Sequence, residues 1–299
     1  MSLEIRIKKI QKKLDVSQTG IFDLATCNAL ELALQNSVSD LVLLEKKKNI
    51  QRKLGFTGNG VDGIFGVNTT TKIEFFLDER LPELPVGASM IVSKNSLEII
   101  LESEVSSRSV YVSKYRFPIW PQAESGVTIG IGYDLGYATA TVFEADWGRV
   151  LSSAKMTKLK KVLGKKGNAA KQALTNEIKQ VEVPLEAALE VFYTRSMPKY
   201  AKTTATAYPG IALLPPDAQG ALLSLVYNRG ASLDGDRRRE MKNIQKWVTS
   251  KNLSKIAAEI RSMKRLWPDL RGLIIRRERE AQLVENAKYF VKPQDYIFV

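Results

Sequence analysis

Between Ser125 and Gly136 the chain reads Ser-Gly-Val-Thr-Ile-Gly-Ile-Gly-Tyr-Asp-Leu-Gly, with four glycines set among β-forming residues. In a strand, successive side chains point to opposite faces. Val127, Ile129, Ile131 and Tyr133 then share an apolar face that reads as core. Thr128, Gly130, Gly132 and Asp134 form the other face, which is nearly bare backbone with polar groups at its ends. Glycine inside a strand costs packing and entropy, and it marks close approach of a ligand or of another backbone. A glycine-rich strand whose Asp134 caps the next helix has the same pattern, so the run alone does not assign chemistry. Six residues of straight strand span about 20 Å at ~3.3 Å each. Thr128 and Asp134 therefore share a site only if the chain bends near Gly130 or Gly132, or turns back at Asp134.

A carboxylate upstream adds to this. Residues 95–105 have the pattern of a helix, with Asn95 or Ser96 as N-cap. Leu97, Ile100, Leu101 and Glu104 fall at i, i+3, i+4 and i+7, on one face, while Glu98 and Glu102 lie together on another. Glu104 thus stands where the pattern calls for an apolar side chain. Partial desolvation favours the protonated carboxyl, the form a general acid needs. A surface glutamate or a buried ion pair is the competing reading.

Absences narrow the chemistry. The 299 residues contain no histidine, which removes the usual Ser-His-Asp and Cys-His systems and the histidine-containing zinc sites of metallo-hydrolases. Cys27, the single cysteine, lies in an apolar segment and reads as a small core residue. One cysteine forms no intramolecular disulfide. Neither a phosphate-binding loop nor a dinucleotide fingerprint is present, because Gly130-Ile-Gly132 lacks the third glycine and the βαβ context. Acid–base chemistry on carboxylates remains, and glycoside cleavage is the main reaction class built that way.

Glu104 followed by Thr128 in Val-Thr-Ile-Gly-Ile-Gly resembles the phage-type lysozymes, the muramidases of glycoside hydrolase family 24. The segment Gly272-Leu-Ile-Ile-Arg-Arg-Glu-Arg-Glu280 is similar to that family's closing signature. Ala221 to Gly230 resembles its helix ending in aromatic-Asn-x-Gly. The position of the family's common aspartate, six before the threonine, is Gln122. Asp134, six after Thr128, matches the pesticin-like members instead. The resemblance covers roughly residues 95–285. It implies an α+β, mainly helical, lysozyme-like domain with a small β-hairpin lobe and the catalytic set Glu104, Thr128 and Asp134. Glu124, in the turn before Ser125, is the reserve second carboxylate. Tyr133, Asn228 and Arg229 are expected to bind substrate, although capping and ion pairing account for Asn228 and Arg229 equally well. No metal or organic cofactor is expected.

A second pattern lies in the first eighty residues. Ile10-Gln-Lys-Lys-Leu14 recurs as Ile50-Gln-Arg-Lys-Leu54, and Gly20-Ile-Phe-Asp-Leu-Ala-Thr26 as Gly63-Ile-Phe-Gly-Val-Asn-Thr69. Each unit reads as helix, glycine-containing loop and helix. The second, with Asp62-Gly-Ile-Phe-Gly-x-x-Thr69, resembles the three-helix peptidoglycan-binding domain; the first has Asp23 where that family has glycine. Ile21, Phe22, Ile64 and Phe65 are expected to be mostly core. The expected organisation is an all-α peptidoglycan-binding region at 1–79, with repeats at about 1–38 and 41–79. A linker follows at 80–94, carrying Pro82, Pro85 and Gly87, and the muramidase domain occupies 95–299. Within that domain, Pro184 is expected to open a helix. A second helix after Pro215-Pro216, apolar nearly all round, is expected at the domain's centre.

The net charge of +13 is unevenly spread: residues 1–86 hold 12 Lys+Arg against 11 Asp+Glu, and residues 87–299 hold 33 against 21. Such a field attracts polyanions. Nucleic acid is not expected, since aromatic residues do not interleave with the basic clusters and no nucleic-acid motif appears. Bacterial peptidoglycan is the expected partner, with lipopolysaccharide or an anionic outer-membrane surface beside it. No segment has the ~20 consecutive apolar residues of a membrane span, and the first residues lack a signal-peptide core. The expectation is a monomeric modular endolysin that accumulates in the host cytoplasm and reaches the periplasmic wall through a separate membrane protein. The rivals are a lytic transglycosylase using one glutamate and a wall-binding virion protein without activity.

Overall fold

The computed structural model describes residues 1–35, 37–79, 81–289, 291 and 293–299. Arg80, which opens the expected linker, lies outside them. The described residues are mainly helical, with two small two-stranded antiparallel sheets, an α+β arrangement. No described helix is long and apolar enough to cross a membrane.

The duplicated sequence builds four helices: α1 (Leu3–Leu14), α2 (Leu24–Gln35), α3 (Leu43–Lys53) and α4 (Val67–Glu79). In each repeat one glutamine holds the interhelical loop. Gln11 Nε2 donates to Thr19 Oγ1, Ile21 O and Thr26 Oγ1 at 2.8, 2.8 and 2.9 Å, and its Oε1 accepts from Gly20 N–H at 2.9 Å. Gln51 does the same with Asp62 Oδ1, Ile64 O and Thr69 Oγ1 at 2.8, 3.1 and 3.4 Å, accepting from Gly63 N–H at 2.7 Å. The clasp requires positive φ at Gly20 (78°) and Gly63 (76°). A Cβ at either would also meet a side chain of the facing helix at 2.6 or 2.5 Å, so only glycine fits.

Neither repeat closes a core alone. α1 packs on α4 and α2 on α3, with Phe22 and Phe65 meeting edge to face at 4.8 Å. Ion pairs repeat the exchange: Arg6 on α1 holds Glu74 on α4 at 2.7 Å, and Lys46 on α3 holds Glu31 on α2 at 3.0 Å. The offsets of forty and forty-three residues that relate the repeats carry Arg6 onto Lys46 and Glu31 onto Glu74. Of the four residues read as mostly core, the phenylalanines are buried while Ile21 and Ile64 are exposed.

A second hydrophobic core runs from Met90 to Val299. It corrects the linker's end. Strand β1 (Ile91–Ser93) pairs antiparallel with Tyr296–Phe298, Ile91 opposite Phe298, so Met90, Ile91 and Val92 are buried parts of this body. Helix α5 (Lys94–Val105) starts directly from that strand, capped by Ser93, whose Oγ accepts from Ser96 N–H at 3.2 Å. The expected caps Asn95 and Ser96 lie inside the helix. Ser96 is instead buried against the central helix α6 (Pro216–Arg229), at Gly220, where a Cβ would fall 1.8 Å from Ser96 Oγ. α6 is buried at every position from Ala218 to Val226, as its all-round apolar sequence requires. Short helices occupy 140–191, with Pro184 capping Leu185–Val191, and helix α7 (Arg271–Glu285) packs on α5 and α6.

The glycine-rich run is not one strand. β2 (Thr128–Ile129) and β3 (Tyr133–Asp134) form a hairpin with Thr128 opposite Asp134 and Ile129 opposite Tyr133. The turn passes through Gly130 and Gly132, at φ 58° and 68°. Val127, Ile129 and Ile131 are buried and Tyr133 half-buried, so the expected core face survives the bend.

Candidate functional site

Glu104 occupies the last turn of α5 with its side chain 23% exposed. Arg276 Nη1 donates to its Oε1 at 3.1 Å. Arg276 is itself buried and fixed: Nη2 donates to the carbonyl and hydroxyl of Ser224, both at 3.1 Å, and Nε reaches Glu280 Oε1 at 3.3 Å. Ser224 Oγ donates to the same carboxylate oxygen at 2.6 Å. Arg277, fully buried beside them, donates to Glu280 at 2.8 Å, and burial pushes its pKa below the usual guanidinium value against the opposing pull of Glu280. The spacing Arg276-Arg277-x-x-Glu280 places both arginines one turn from the glutamate on α7. Two buried guanidiniums share one buried carboxylate, and Glu104 at the cleft wall supplies the second.

The hairpin approaches from the other side. A Cβ on Gly132 would stand 3.2 Å from Glu104 Oε2 and 3.0 Å from the Tyr227 hydroxyl. Tyr227, near the end of α6, donates to Ile131 O at 2.8 Å, tying the hairpin to the helical core. Its ring centroid lies 4.5 Å from that of Tyr200. Burial first, then Glu104, pushes the Tyr227 phenol well above the ordinary tyrosine value. Burial, then Glu104 and Asp134, raise the Tyr200 phenol above its ordinary value, so both carboxylates act on this one ring.

The turn at Gly130–Gly132 supplies the bend that Thr128 and Asp134 require, and pairs them across the hairpin. Asp134 is not a free carboxylate. Gly126 N–H donates to both of its oxygens at 3.1 Å, and Gly136 N–H to Oδ1 at 2.8 Å. A Cβ on Gly126 would lie 2.2 Å from Oδ1, so the glycines of the run let backbone close on this side chain. Asp134 nonetheless lines a narrow cleft of about 100 Å³ with Gly132, Tyr137, Tyr200 and Tyr227. Tyr133 lines it too, but its hydroxyl donates to Asp146 at 2.8 Å and its ring meets Trp147 edge-on at 5.4 Å. Burial and Asp146 raise the Tyr133 phenol above its usual value. Glu124 is exposed and faces Gly167, where a Cβ would come within 3.6 Å of its Oε2.

Asn228 and Arg229 separate. Asn228 is exposed and borders a cleft of about 580 Å³ shared with Glu102, Ser103, Glu104, Arg276 and Arg279. Arg229 lines the adjoining recess of about 630 Å³, which Asn228 and Leu273 also border. There it stacks on Trp267 at 4.5 Å and donates to Arg237 O. Burial, then Arg238, Arg277 and Arg237, lower its pKa to about 10. The recesses holding Arg229 and Glu104 meet at Asn228 and Leu273, and Glu104 Oε2 lies close to Gly132, which lines the cleft of Asp134.

Arg276, Tyr227, Tyr200 and Gly132 are not among the site residues that the sequence suggests. The inward Arg-Arg-x-x-Glu pattern on α7 was the available signal for Arg276; its partner lies 172 residues away in sequence. Residues 100–206 match the model of a domain of unknown function (DUF8812), a span that holds Glu104, Thr128, Tyr133 and Asp134 and ends before Tyr227 and Arg276. No curated protein matches the chain.

Proposed function

We propose that this chain is a muramidase, a glycoside hydrolase that cleaves the β-1,4 bond between N-acetylmuramic acid and N-acetylglucosamine, working as a phage endolysin. The observation that carries the reading is the pairing of Glu104: Oε1 accepts from Arg276, while Oε2 faces Gly132, which lines the cleft of Asp134. A proton on Oε2 is placed for transfer to a glycosidic oxygen in the groove. Asp134 stabilises the developing positive charge or orients water, with the Thr128 hydroxyl, its cross-strand neighbour, helping to place that water. Inversion needs room for the water opposite the acid, and the two recesses that adjoin at Asn228 and Leu273 suit a linear polymer better than a small molecule. The N-terminal region holds the wall, and the basic excess of residues 87–299 draws the chain to anionic wall and outer-membrane surfaces. After synthesis in the host cytoplasm, release to the periplasm falls to a separate membrane protein.

One observation favours a second reading. The Asp134 carboxylate is committed to two backbone N–H groups, which suits a lytic transglycosylase that uses Glu104 alone and forms an anhydro end without water. Digestion of purified peptidoglycan in ¹⁸O-water separates the two. A hydrolase places ¹⁸O on new reducing muramic-acid ends, and a transglycosylase yields unlabelled anhydro ends. Uncleaved wall with protein bound would leave a wall-binding protein.

A further inference from the structure

The duplication in the N-terminal body supplies an internal control, because each helical position of one repeat has a counterpart in the other. A recess of about 450 Å³ lies between the end of α3 and α4, lined by Lys53, Leu54, Thr71, Lys72, Phe75 and Phe76. The counterparts in the first repeat are Lys13, Leu14, Asn28, Ala29, Leu32 and Ala33. Two aromatic rings and a lysine on α4 thus correspond to two alanines and a leucine on α2. Phe75 is 63% exposed, a large ring left in water. Lys72 leans across the recess, its Nζ donating to Leu54 O at 3.2 Å and standing 4.3 Å from the Phe56 ring centroid. The first repeat braces this wall: Arg6 donates to Thr71 Oγ1 at 2.7 Å and pairs with Glu74, next to Phe75.

We infer that this recess, on the second repeat alone, holds a glycan strand bearing acidic substituents, and that the first repeat serves as its brace. The inference rests on the wall-binding reading above. The exposed Phe75 ring offers flat apolar surface to the C–H face of a pyranose ring. Lys53 and Lys72 supply positive charge for carboxylates on the strand. The balance of 12 basic against 11 acidic residues over positions 1–86 lacks the broad excess that a nucleic-acid backbone demands.

The test is co-sedimentation of the full chain with purified peptidoglycan, in a Glu104→Gln background so that the wall persists. Phe75→Ala and Lys72→Gln should each weaken binding about tenfold, a change of about 1.4 kcal/mol. Leu32→Ala, the matching change in the first repeat, should leave it within about twofold. Phe75 is exposed, so its truncation spares the core, and protection of buried Cys27 from alkylation verifies that. Unchanged binding by Phe75→Ala and Lys72→Gln overturns the inference, as does an equal loss in Leu32→Ala. Absence of wall binding by the parent overturns it as well, as does a dimer that Phe75→Ala dissociates. The ¹⁸O experiment reads the catalytic proposal separately, so either can fail without the other.

Discussion

Gly132 sits where a methyl group would press on both Glu104 and Tyr227, with its backbone at φ 68°. Gly164 has nearly the same φ, 70°, but open space around it. Gly132→Ala and Gly164→Ala should therefore share a backbone penalty of about 1–2 kcal/mol. Only Gly132→Ala should also lose wall cleavage, which melting curves and turnover assays of the two variants would separate. Asp134 makes a different prediction. In Asp134→Ala the N–H groups of Gly126 and Gly136 both lose their part-buried acceptor, a loss worth about 1–3 kcal/mol. A lowered melting temperature is expected, and its absence would remove the backbone role. Cleavage that survives in the folded variant would favour the single-glutamate reaction. Sequence periodicity put Glu104 on the inward face of its helix, and the structure keeps it there. Its Arg276 partner was not legible, because periodicity reports which face a residue occupies and not which distant helix lies opposite.

Among the elements, the intertwined repeats give a paired comparison. Glu31 and Glu74 occupy matching positions, but the Lys46–Glu31 pair is buried and the Arg6–Glu74 pair partly solvated. Removing one partner of a buried pair strands the other, at about 3–5 kcal/mol, whereas water screens a partly solvated pair and keeps its contribution nearer the ~1 kcal/mol of a surface pair. Glu31→Gln should lower the melting temperature of the N-terminal body far more than Glu74→Gln; equal losses would contradict the packing. Burial pushes the Glu31 carboxyl up, but Ser39, Lys46 and Asn49 outweigh it and hold it below its ordinary value of 4.5. This pair's stabilisation is therefore present above that value and lost as pH falls through the depressed one. The repeat itself was plain in the sequence, since Gln11 and Gln51 head matching segments. The helix exchange was not, because a repeat specifies matching local structure without saying which copy's helices pack together. The start of α5 is not legible for a related reason: Ser93 caps it at the end of a strand whose partner, Tyr296–Phe298, stands at the far end of the sequence.

At the scale of the molecule, two hydrophobic cores meet nowhere in their membership, one ending at Leu77 and the other beginning at Met90. Cys27 reports on the first. It is fully buried, and burial raises its thiol pKa to about 12, so alkylation near neutral pH requires that body to open. Mass spectrometry of iodoacetamide-treated protein along a urea series should show Cys27 labelling at the unfolding of residues 1–79. Rapid labelling in native buffer would contradict the buried core. In the larger body, elements far apart in sequence converge on Glu104: α5, the hairpin, α6 and α7. In the proposed function, this convergence makes Glu104 the acid of a wall-cleaving enzyme. The most direct measurement is the rate at which wild type and Glu104→Gln release soluble fragments from purified peptidoglycan. The account predicts a loss of at least about 10²-fold, with melting temperature and wall binding retained. Cleavage by Glu104→Gln at the wild-type rate would contradict it.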